Sequence, residues 1–347
     1  MSDPVLETLL LPLLSGEVEP GSDPKALFMR ARAGQSLRDL APAKLVCEQS
    51  FAPDRDALQK SGFEVLAEVA ETGFDLVLVL PGRQRQEARA QLARAVSKAV
   101  TGGQVIACSA NTEGAKTLES DLSDLLGRTE KLTKNKCRAV WGTVQVENLN
   151  QDLLEKWSRL DKPRTVLEGA YVSRPGIFAW DRVDPASALL VSHLPETLKG
   201  RGADLGAGFG YLSRAILEKA PKVAAMDLYE AEKRALDLAE QNLSAFKGKR
   251  ALNGIWSDVT KGLEGPYDFV VSNPPFHQAG RADRVDVGQG FIRSAAGGLR
   301  PGGDFFMVAN RHLPYEQTLS DVFANVAQLA DEGGYKVIRA VKGKGGR

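Results

Sequence analysis

The chain has 347 residues, of which 43% are hydrophobic and 26% are charged, and its formal net charge is +1. This composition is typical of a soluble globular protein, and the length is sufficient for two domains with separate cores. The near-neutral charge excludes a general polycation, so contact with nucleic acid would require local basic patches.

The N-terminal segment "MSDPVLETLLLPLLSG" is apolar but carries Asp3, Glu7 and Pro12 and lacks a basic start. It is too short to span a bilayer, so we interpret it as a packing segment and not a signal peptide. The three cysteines are widely spaced, and the three histidines show no metal-ligand spacing. We therefore expect a cytoplasmic protein with no disulfide framework, no metal and no membrane contact.

The two halves of the chain contain similar segments. The stretch from Phe74 to Asn111 and the stretch from Tyr267 to Asn310 each contain an aromatic–Asp pair, an apolar strand, a proline, Gly-Gly and a second apolar strand. This pattern indicates an internal duplication, although a chance match between two α/β domains would look the same. The first copy has "LPGR" where the second has "NPPF", and it lacks a glycine-rich loop upstream.

A charged, proline-containing stretch near Pro163 separates the halves, so we predict domains at 1–163 and 164–347. In the second half, strand-like and helix-like segments alternate. This alternation predicts a mainly parallel sheet with helices on both faces, with ligands bound at the carboxyl ends of the strands.

The segment "ADLGAGFGYLSRAIL" predicts a strand, a loop containing Gly206, Gly208 and Gly210, and a helix. Glycines allow a ligand to approach the backbone closely, and the helix N-terminus offers free N–H groups. Asp227 is expected at the end of the next strand, where a carboxylate can accept both ribose hydroxyls of NAD or of S-adenosylmethionine (SAM). Asp204 favours SAM, because it can meet the ammonium of a methionine moiety but would repel a pyrophosphate.

After the third strand of this half, Ser257 and Asp258 are expected at the adenine end of the same edge. Asp258 is a candidate acceptor for the adenine amino group. A plain turn aspartate explains it equally well.

The segment "SNPPFH" follows the apolar strand "YDFVV". We predict that the side-chain oxygen of Asn273 and the backbone carbonyl of Pro274 accept hydrogen bonds from a planar exocyclic amine. Proline restricts its own backbone and that of the residue before it, so both acceptors are held in place before the substrate binds. Phe276 offers a ring on which a base can stack. His277 is interpreted as a surface residue without a catalytic role.

Two segments of the first half are locally basic: "RQRQEARAQLARAVSK" and "RTEKLTKNKCR", each with five basic residues and one acid. Such patches suit an RNA backbone. A solvated helix face would have the same composition.

"DLGAGFG" together with "SNPPFH" resembles the class I SAM-dependent methyltransferases that modify amino groups. The segments "LRPGGDFFMVANRHLPY" and "PGIFAWDRVDPASALLV" are similar to the bacterial ribosomal RNA guanine-N2 methyltransferases, particularly those of the small subunit. The resemblance implies two tandem Rossmann-like domains, the first degenerate and supporting RNA binding, and the second catalytic. It also implies SAM as the cofactor, and we expect a monomer that modifies 16S RNA in an assembled or nearly assembled subunit.

Three other functions stay open at this point. The large-subunit enzymes share "VANRH" with this chain. A protein glutamine N-methyltransferase also uses an Asn-Pro-Pro loop, and a non-catalytic RNA-binding assembly factor could retain a relic site. Asn310, Arg311 and His312 are either substrate-side residues or loop caps.

Overall fold

The computed structural model describes residues 3–40, 44–275 and 281–344. The chain divides into two compact units, one formed by Met1–Pro163 with Arg174–Gly176 and the other by Arg164–Ser173 with Ile177–Arg347. No helix among the described residues is long and apolar enough to cross a membrane.

The first unit contains a seven-stranded sheet flanked by helices. Its strands are β1 Lys25–Met29, β2 Lys44–Glu48, β3 Glu64–Leu66, β4 Phe74–Val79, β5 Ala99–Ala110, β6 Glu130–Lys134 and β7 Cys137–Thr143. Its helices are α1 Pro4–Leu14, α2 Gln35–Leu40, α3 Ala52–Lys60, α4 Arg85–Lys98, α5 Ala115–Leu126 and α6 Gln151–Trp157.

The second unit begins with a small hairpin and continues with a second seven-stranded sheet. The strands are β8 Arg164–Val166, β9 Tyr171–Ser173, β10 Lys199–Leu205, β11 Lys222–Glu230, β12 Ala251–Trp256, β13 Tyr267–Ser272, β14 Leu299–Asn310, β15 Asn325–Glu332 and β16 Tyr335–Val341. The helices are α7 Pro185–His193, α8 Tyr211–Lys219, α9 Lys233–Asn242, α10 Arg281–Gly298 and α11 Glu316–Val322.

The two sheets have the same topology. The first has the order β3-β2-β1-β4-β5-β7-β6 and the second the order β12-β11-β10-β13-β14-β16-β15. In each, five strands are parallel and the last two pair antiparallel. Two tandem Rossmann-like domains are therefore confirmed, and the matching strand order supports the duplication.

The central strands of each sheet are buried on both faces, as expected for parallel strands covered by helices. In β13, Val270 and Val271 are both fully buried but belong to separate hydrophobic clusters. Successive side chains of a strand point to opposite faces, so the continuous apolar run at Phe269–Val271 fills two cores. The carboxyl end of this strand leads directly into Asn273.

Candidate active site

Asn273 follows β13 immediately, and its side-chain amide is held by α7. Nδ2 donates to Oδ2 of Asp184 at 2.9 Å and to Oγ of Ser187 at 2.8 Å. Because a carboxylate only accepts hydrogen bonds, the amide must present its NH2 to Asp184. The side-chain oxygen of Asn273, Oδ1, therefore points away from α7.

That oxygen is buried, and it has no hydrogen-bond partner among the residues that the structure describes. A buried polar atom without a partner is costly and is uncommon in native proteins. Asn273 lines an open cleft with about 420 Å³ of space, solvent included. The other lining residues are Phe178, Ala179, Asp184, Ser187, Gly206, Ala207, Gly208, Phe209, Tyr211 and Leu212.

The loop after Asn273 is described only in part. Pro274 is buried and Pro275 is exposed. Phe276 and His277 lie outside the described residues, so their predicted places at the site stay predictions.

The glycine loop has the geometry that its composition predicts. Gly206, Gly208 and Gly210 have φ values of 75°, 56° and 92°, in the left-handed region that favours glycine. A Cβ at Gly210 would lie 3.2 Å from the backbone of Ala239, whereas no described atom lies within 4 Å of the Cβ position at Gly208. Gly210 thus permits close helix packing, and Gly208 borders open space where a ligand can approach.

Asp204 lies beneath the glycine loop instead of on its surface. Its side chain is fully buried, and Oδ2 accepts a hydrogen bond from Oγ of Ser213 at 2.6 Å. Burial raises the pKa of this carboxyl to about 7, and Glu230 contributes in the same direction. Oδ1 has no partner among the described residues. In this structure Asp204 binds Ser213 in the first turn of α8, the helix that follows the glycine loop, and its direct contact with an ammonium group stays a prediction.

The position predicted for Asp227 is wrong. The strand β11 continues to Glu230, so Asp227 lies inside the strand, opposite Ala203 of β10, and its side chain is fully buried. Its carboxylate accepts hydrogen bonds from Arg201, from Nδ2 of Asn253 at 2.8 Å and from the hydroxyl of Tyr267 at 2.6 Å. This buried network places the Asp227 carboxylate inside the sheet and not at the sheet edge, where ribose hydroxyls were expected to bind.

Glu230 occupies the strand-end position that the sequence predicts for Asp227. It ends β11, and its Oε2 accepts a hydrogen bond from the amide of Gly208 at 2.7 Å. Oε1 accepts from the amide of Glu232 at 2.8 Å, and burial raises the pKa of Glu230. The sequence indicates this longer strand through Tyr229, a strand-favouring residue that lies between "KVAAMDL" and Glu230.

Ser257 and Asp258 follow β12 near the same edge. The amide of Ser257 donates to the carbonyl of Glu230 at 3.2 Å, and its buried hydroxyl has no partner among the described residues. Asp258 caps the short 3-10 turn Val259–Lys261, accepting from the amide of Thr260 at 2.9 Å. The turn-aspartate interpretation describes what Asp258 does here, and a contact with adenine stays a prediction.

An exposed aromatic residue, Phe178, was missed by the sequence analysis. Its side chain is 51% exposed, although it lines the cleft that contains Asn273. The next residue, Ala179, has φ 48°, a strained conformation for a residue with a Cβ. Trp180 packs against Arg164, with the guanidinium 4.4 Å from the ring centroid. The segment "PGIFAW" contains two aromatic residues, Phe178 and Trp180, but the sequence alone does not show which of them lines the cleft.

The loop after β14 behaves as a capped loop. The side chain of Asn310 accepts from the amide of His312 at 3.1 Å, and Arg311 pairs with Asp331. These contacts favour the loop-cap interpretation for Asn310 and Arg311 over a substrate-side role.

Most of the basic side chains of α4 form hydrogen bonds or ion pairs within the first unit. Arg89 forms two hydrogen bonds with Asp121, and Arg94 forms two with Glu48. Lys98 is buried and donates to three backbone carbonyls, those of Val69, Ala70 and Glu71. This segment is therefore not the free phosphate-binding patch that its composition suggested.

The second basic segment forms the β6–β7 hairpin. Its two-residue turn, Asn135 and Lys136, has φ values of 53° and 57°, as a type I′ turn requires. Lys134 and Lys136 are exposed at the tip, whereas Lys131 pairs with Glu119. Two lysines at this turn are accessible to an anionic partner.

The first unit lacks the residues that form the site in the second. Arg30 follows β1 where Gly206 follows β10, and Leu80 follows β4 where Asn273 follows β13. Leu80 is buried and apolar, so it offers no amide acceptor.

Comparison with known proteins agrees with this description. The model of the family "Methyltransferase small domain" matches residues 168–339. The ribosomal RNA small subunit methyltransferase C of Cronobacter sakazakii is 30% identical over 295 residues, which cover 80% of this chain and 78% of that protein. The protein of the same name from Salmonella newport is 29% identical, covering 88% of this chain and 90% of the relative.

A solved structure is similar over nearly the whole chain. It is described as the T. thermophilus 16S rRNA N2 G1207 methyltransferase in complex with AdoMet and guanosine. Its TM-score is 0.80 with 26% identity, and the match covers 98% of this chain and 92% of that one.

The duplicated fold, the glycine loop and the Asn-Pro-Pro loop define a Rossmann-like methyltransferase. The chain belongs to the ribosomal RNA small subunit methyltransferase C family. This family is the small-subunit group to which the sequence motifs pointed, and not one of the three alternative functions.

Proposed function

We propose that this chain transfers a methyl group from SAM to the exocyclic N2 amine of a guanine in 16S ribosomal RNA. The observation that carries the proposal is the buried carbonyl oxygen of Asn273, which has no partner among the described residues and lies beside the glycine loop. The names of the similar proteins provide the substrate class.

The residues around the glycine loop fit the cofactor. Gly208 borders open space, and Glu230 lies at the strand end where a carboxylate can accept ribose hydroxyls. Ser257 has a buried hydroxyl without a partner in the described part of the chain. We assign the ribose contact to Glu230 and keep Ser257 and Asp258 as candidates for the adenine end. When bound, SAM supplies an electrophilic methyl group attached to a sulfonium.

Asn273 and Pro274 would hold the amine of the target base. The lone pair of an aromatic amine is delocalised into the ring, so the amine is a poor nucleophile. The side-chain oxygen of Asn273 accepts one N–H and the carbonyl of Pro274 accepts the other, which aims the lone pair at the methyl group. Fixed orientation of this kind can lower a barrier by roughly 7–11 kcal/mol in well-oriented systems. The amine becomes acidic only as the bond forms, so no general base is required.

Aromatic rings would hold the base in the cleft. Phe276 is proposed to stack on the guanine, and the exposed ring of Phe178 is a second candidate at the same cleft. The base must be unpaired or flipped out for its amine to enter. Stacking of a base on an aromatic side chain contributes about 1–3 kcal/mol.

The first unit is proposed to bind RNA, while the second performs the chemistry. The exposed lysines of the β6–β7 hairpin support this division, since the first unit lacks the glycine loop and the amide acceptor. We propose that the protein acts as a cytoplasmic monomer on an assembled or nearly assembled small subunit.

One experiment tests the activity directly. Purified protein and labelled SAM are incubated with small and large subunits from cells lacking the gene, and the RNA is digested to nucleosides. We expect labelled N2-methylguanosine from the small subunit. Label found only in the large subunit, or only in a release factor supplied in parallel, would contradict the proposal.

A further inference from the structure

A carboxylate lies directly behind the amide of Asn273. Oδ2 of Asp184 accepts from Nδ2 of Asn273 at 2.9 Å and from the backbone amide of Ser187 at 2.8 Å. Asp184 is the N-cap of α7, so the second of these hydrogen bonds fixes the carboxylate relative to the helix. The side chain of Ser187, in the first turn of α7, provides a second acceptor for Nδ2 at 2.8 Å.

These contacts determine which end of the amide faces the cleft. The two ends of a carboxamide have nearly the same shape, and only their hydrogen-bonding partners distinguish them. With both hydrogens of Nδ2 bound by oxygen atoms of Asp184 and Ser187, the side-chain oxygen of Asn273 must face the opposite way. If the amide turned over, its oxygen would face the carboxylate and its NH2 would face the substrate amine, which donates and cannot accept.

The same contacts also affect the charge on the acceptor. A carboxylate that accepts a hydrogen bond from the NH2 end pushes electron density through the amide and so increases the negative charge on its side-chain oxygen. Hydrogen bonds in a chain strengthen one another in this way. As the methyl group is transferred, the amine nitrogen becomes positive, and a more negative acceptor stabilises that charge.

We infer that Asp184 and Ser187 are positioning residues for the methyl transfer, which fix and polarise Asn273 so that its oxygen binds the substrate amine. This inference rests on the proposed function and extends it to two residues that need not touch the substrate. It explains why the N-cap and the first turn of α7, 89 and 86 residues earlier in the chain, supply both partners of one amide.

The first test is Asp184→Asn. Asparagine keeps the N-cap, so α7 is preserved, but the charge behind Asn273 is removed. We expect kcat on small subunits to fall by roughly tenfold or more, as for other residues that orient a functional group, while the Kd for SAM stays unchanged. Asp3→Asn is the matched control, because Asp3 is the N-cap of α1 in the first unit. Asp3→Asn should retain wild-type kcat.

The second test reverses the pair. In Asn273→Asp two carboxylates would oppose each other across the same hydrogen bond, so this variant should be nearly inactive. Adding Asp184→Asn restores a donor–acceptor pair with its direction reversed, and activity should recover by roughly tenfold or more. Asp184→Asn would then lower the activity of the wild type but raise the activity of the Asn273→Asp variant. A purely structural role predicts a loss in both backgrounds, and that result would overturn the inference.

A third measurement does not depend on catalysis. Hydrogen exchange of the Asn273 side-chain NH2, followed by NMR, should be slow in the wild type and faster in Asp184→Ala. Equal exchange rates would contradict the positioning role even if the substrate assignment were correct. Conversely, a wild-type protein that protects this NH2 but does not methylate small subunits would contradict the proposed function, while the fixed orientation of the Asn273 amide would still hold.

Discussion

The backbone amide of Gly208 donates a hydrogen bond to Oε2 of Glu230 at 2.7 Å, which joins the glycine loop to the end of the neighbouring strand. The first unit has a related contact, in which Gln49, the residue after β2, donates from Nε2 to the carbonyl of Ala31 at 2.7 Å. In the second unit the loop backbone donates to a carboxylate, whereas in the first unit a neutral side chain donates to the loop backbone. We associate the acidic form with cofactor binding.

Glu230 and Asp227 can be separated by substitution. We expect Glu230→Gln to weaken SAM binding by roughly 10–100-fold, the effect of losing a charged hydrogen-bond partner. Asp227→Asn should lower the thermal stability, because it disrupts the buried contacts with Arg201 and Tyr267, but change SAM affinity little. Calorimetric titration measures the SAM affinity of each variant, and thermal unfolding measures its stability. A large loss of SAM affinity in Asp227→Asn alone would return the ribose role to Asp227.

Phe178 provides a test of base stacking. Phe178→Ala should raise KM for small subunits by roughly tenfold, in line with the loss of one stacking contact, and leave the Kd for SAM unchanged. Phe178→Tyr keeps an aromatic ring and should remain close to the wild type. Steady-state kinetics with varied subunit concentration distinguish the two variants. Equal KM values for Phe178→Ala and the wild type would exclude this ring from substrate binding.

The hairpin lysines should contribute to RNA affinity. Lys134→Glu with Lys136→Glu should weaken RNA binding and reduce the salt dependence of log Kd by up to about two units of slope, one for each lost phosphate contact. Lys60→Glu with Lys156→Glu changes the same charge at exposed positions elsewhere in the first unit and serves as the control. Binding measured over a range of salt concentrations tests this prediction. Identical slopes for the two double variants would show that the hairpin does not bind RNA.

Asp204 predicts a specific dependence of stability on pH. Burial raises the pKa of its carboxyl to about 7 in the folded chain, from about 3.8 for an unperturbed aspartate. Between these values the folded protein binds one more proton than the unfolded chain, so stability falls as pH rises.

Asp204→Asn removes this titration while keeping an acceptor for Ser213. In cofactor-free protein, the stability of Asp204→Asn relative to the wild type should therefore increase from about pH 4 to about pH 7 and then level off. Urea unfolding across this range measures the difference. A difference that is independent of pH would show that Asp204 does not titrate in this window.

The sequence was sufficient for the fold and for the centre of the site. Alternating apolar strands and amphipathic helices predicted the parallel sheets, and the glycine loop was found with its positive φ values. Asn273 was recognised because an amide directly before two prolines at a strand end has a specific chemical use. These features are local, and local patterns are visible in a single chain.

The features that sequence analysis missed depend on tertiary contacts. Asp227 was assigned to a strand end because the apolar run stops at Leu228, yet pairing of Glu230 with Trp256 extends the strand. The hydrogen bond between Asp184 and Asn273 joins residues 89 positions apart, and no spacing rule predicts it. Composition alone predicts free positive charge at Arg89 and Arg94 of α4, yet both are paired with acids that are distant in sequence, Asp121 and Glu48.

The central claim is that the side-chain oxygen of Asn273 binds the amine that receives the methyl group. The most direct measurement is single-turnover methylation of small subunits by Asn273→Ala, with SAM affinity measured in parallel and Asn253→Ala as an amide-loss control outside the cleft. We predict that the rate falls by roughly 100-fold or more for Asn273→Ala, with SAM affinity nearly unchanged. A rate close to that of the wild type, or a loss fully explained by weaker SAM binding, would contradict the account.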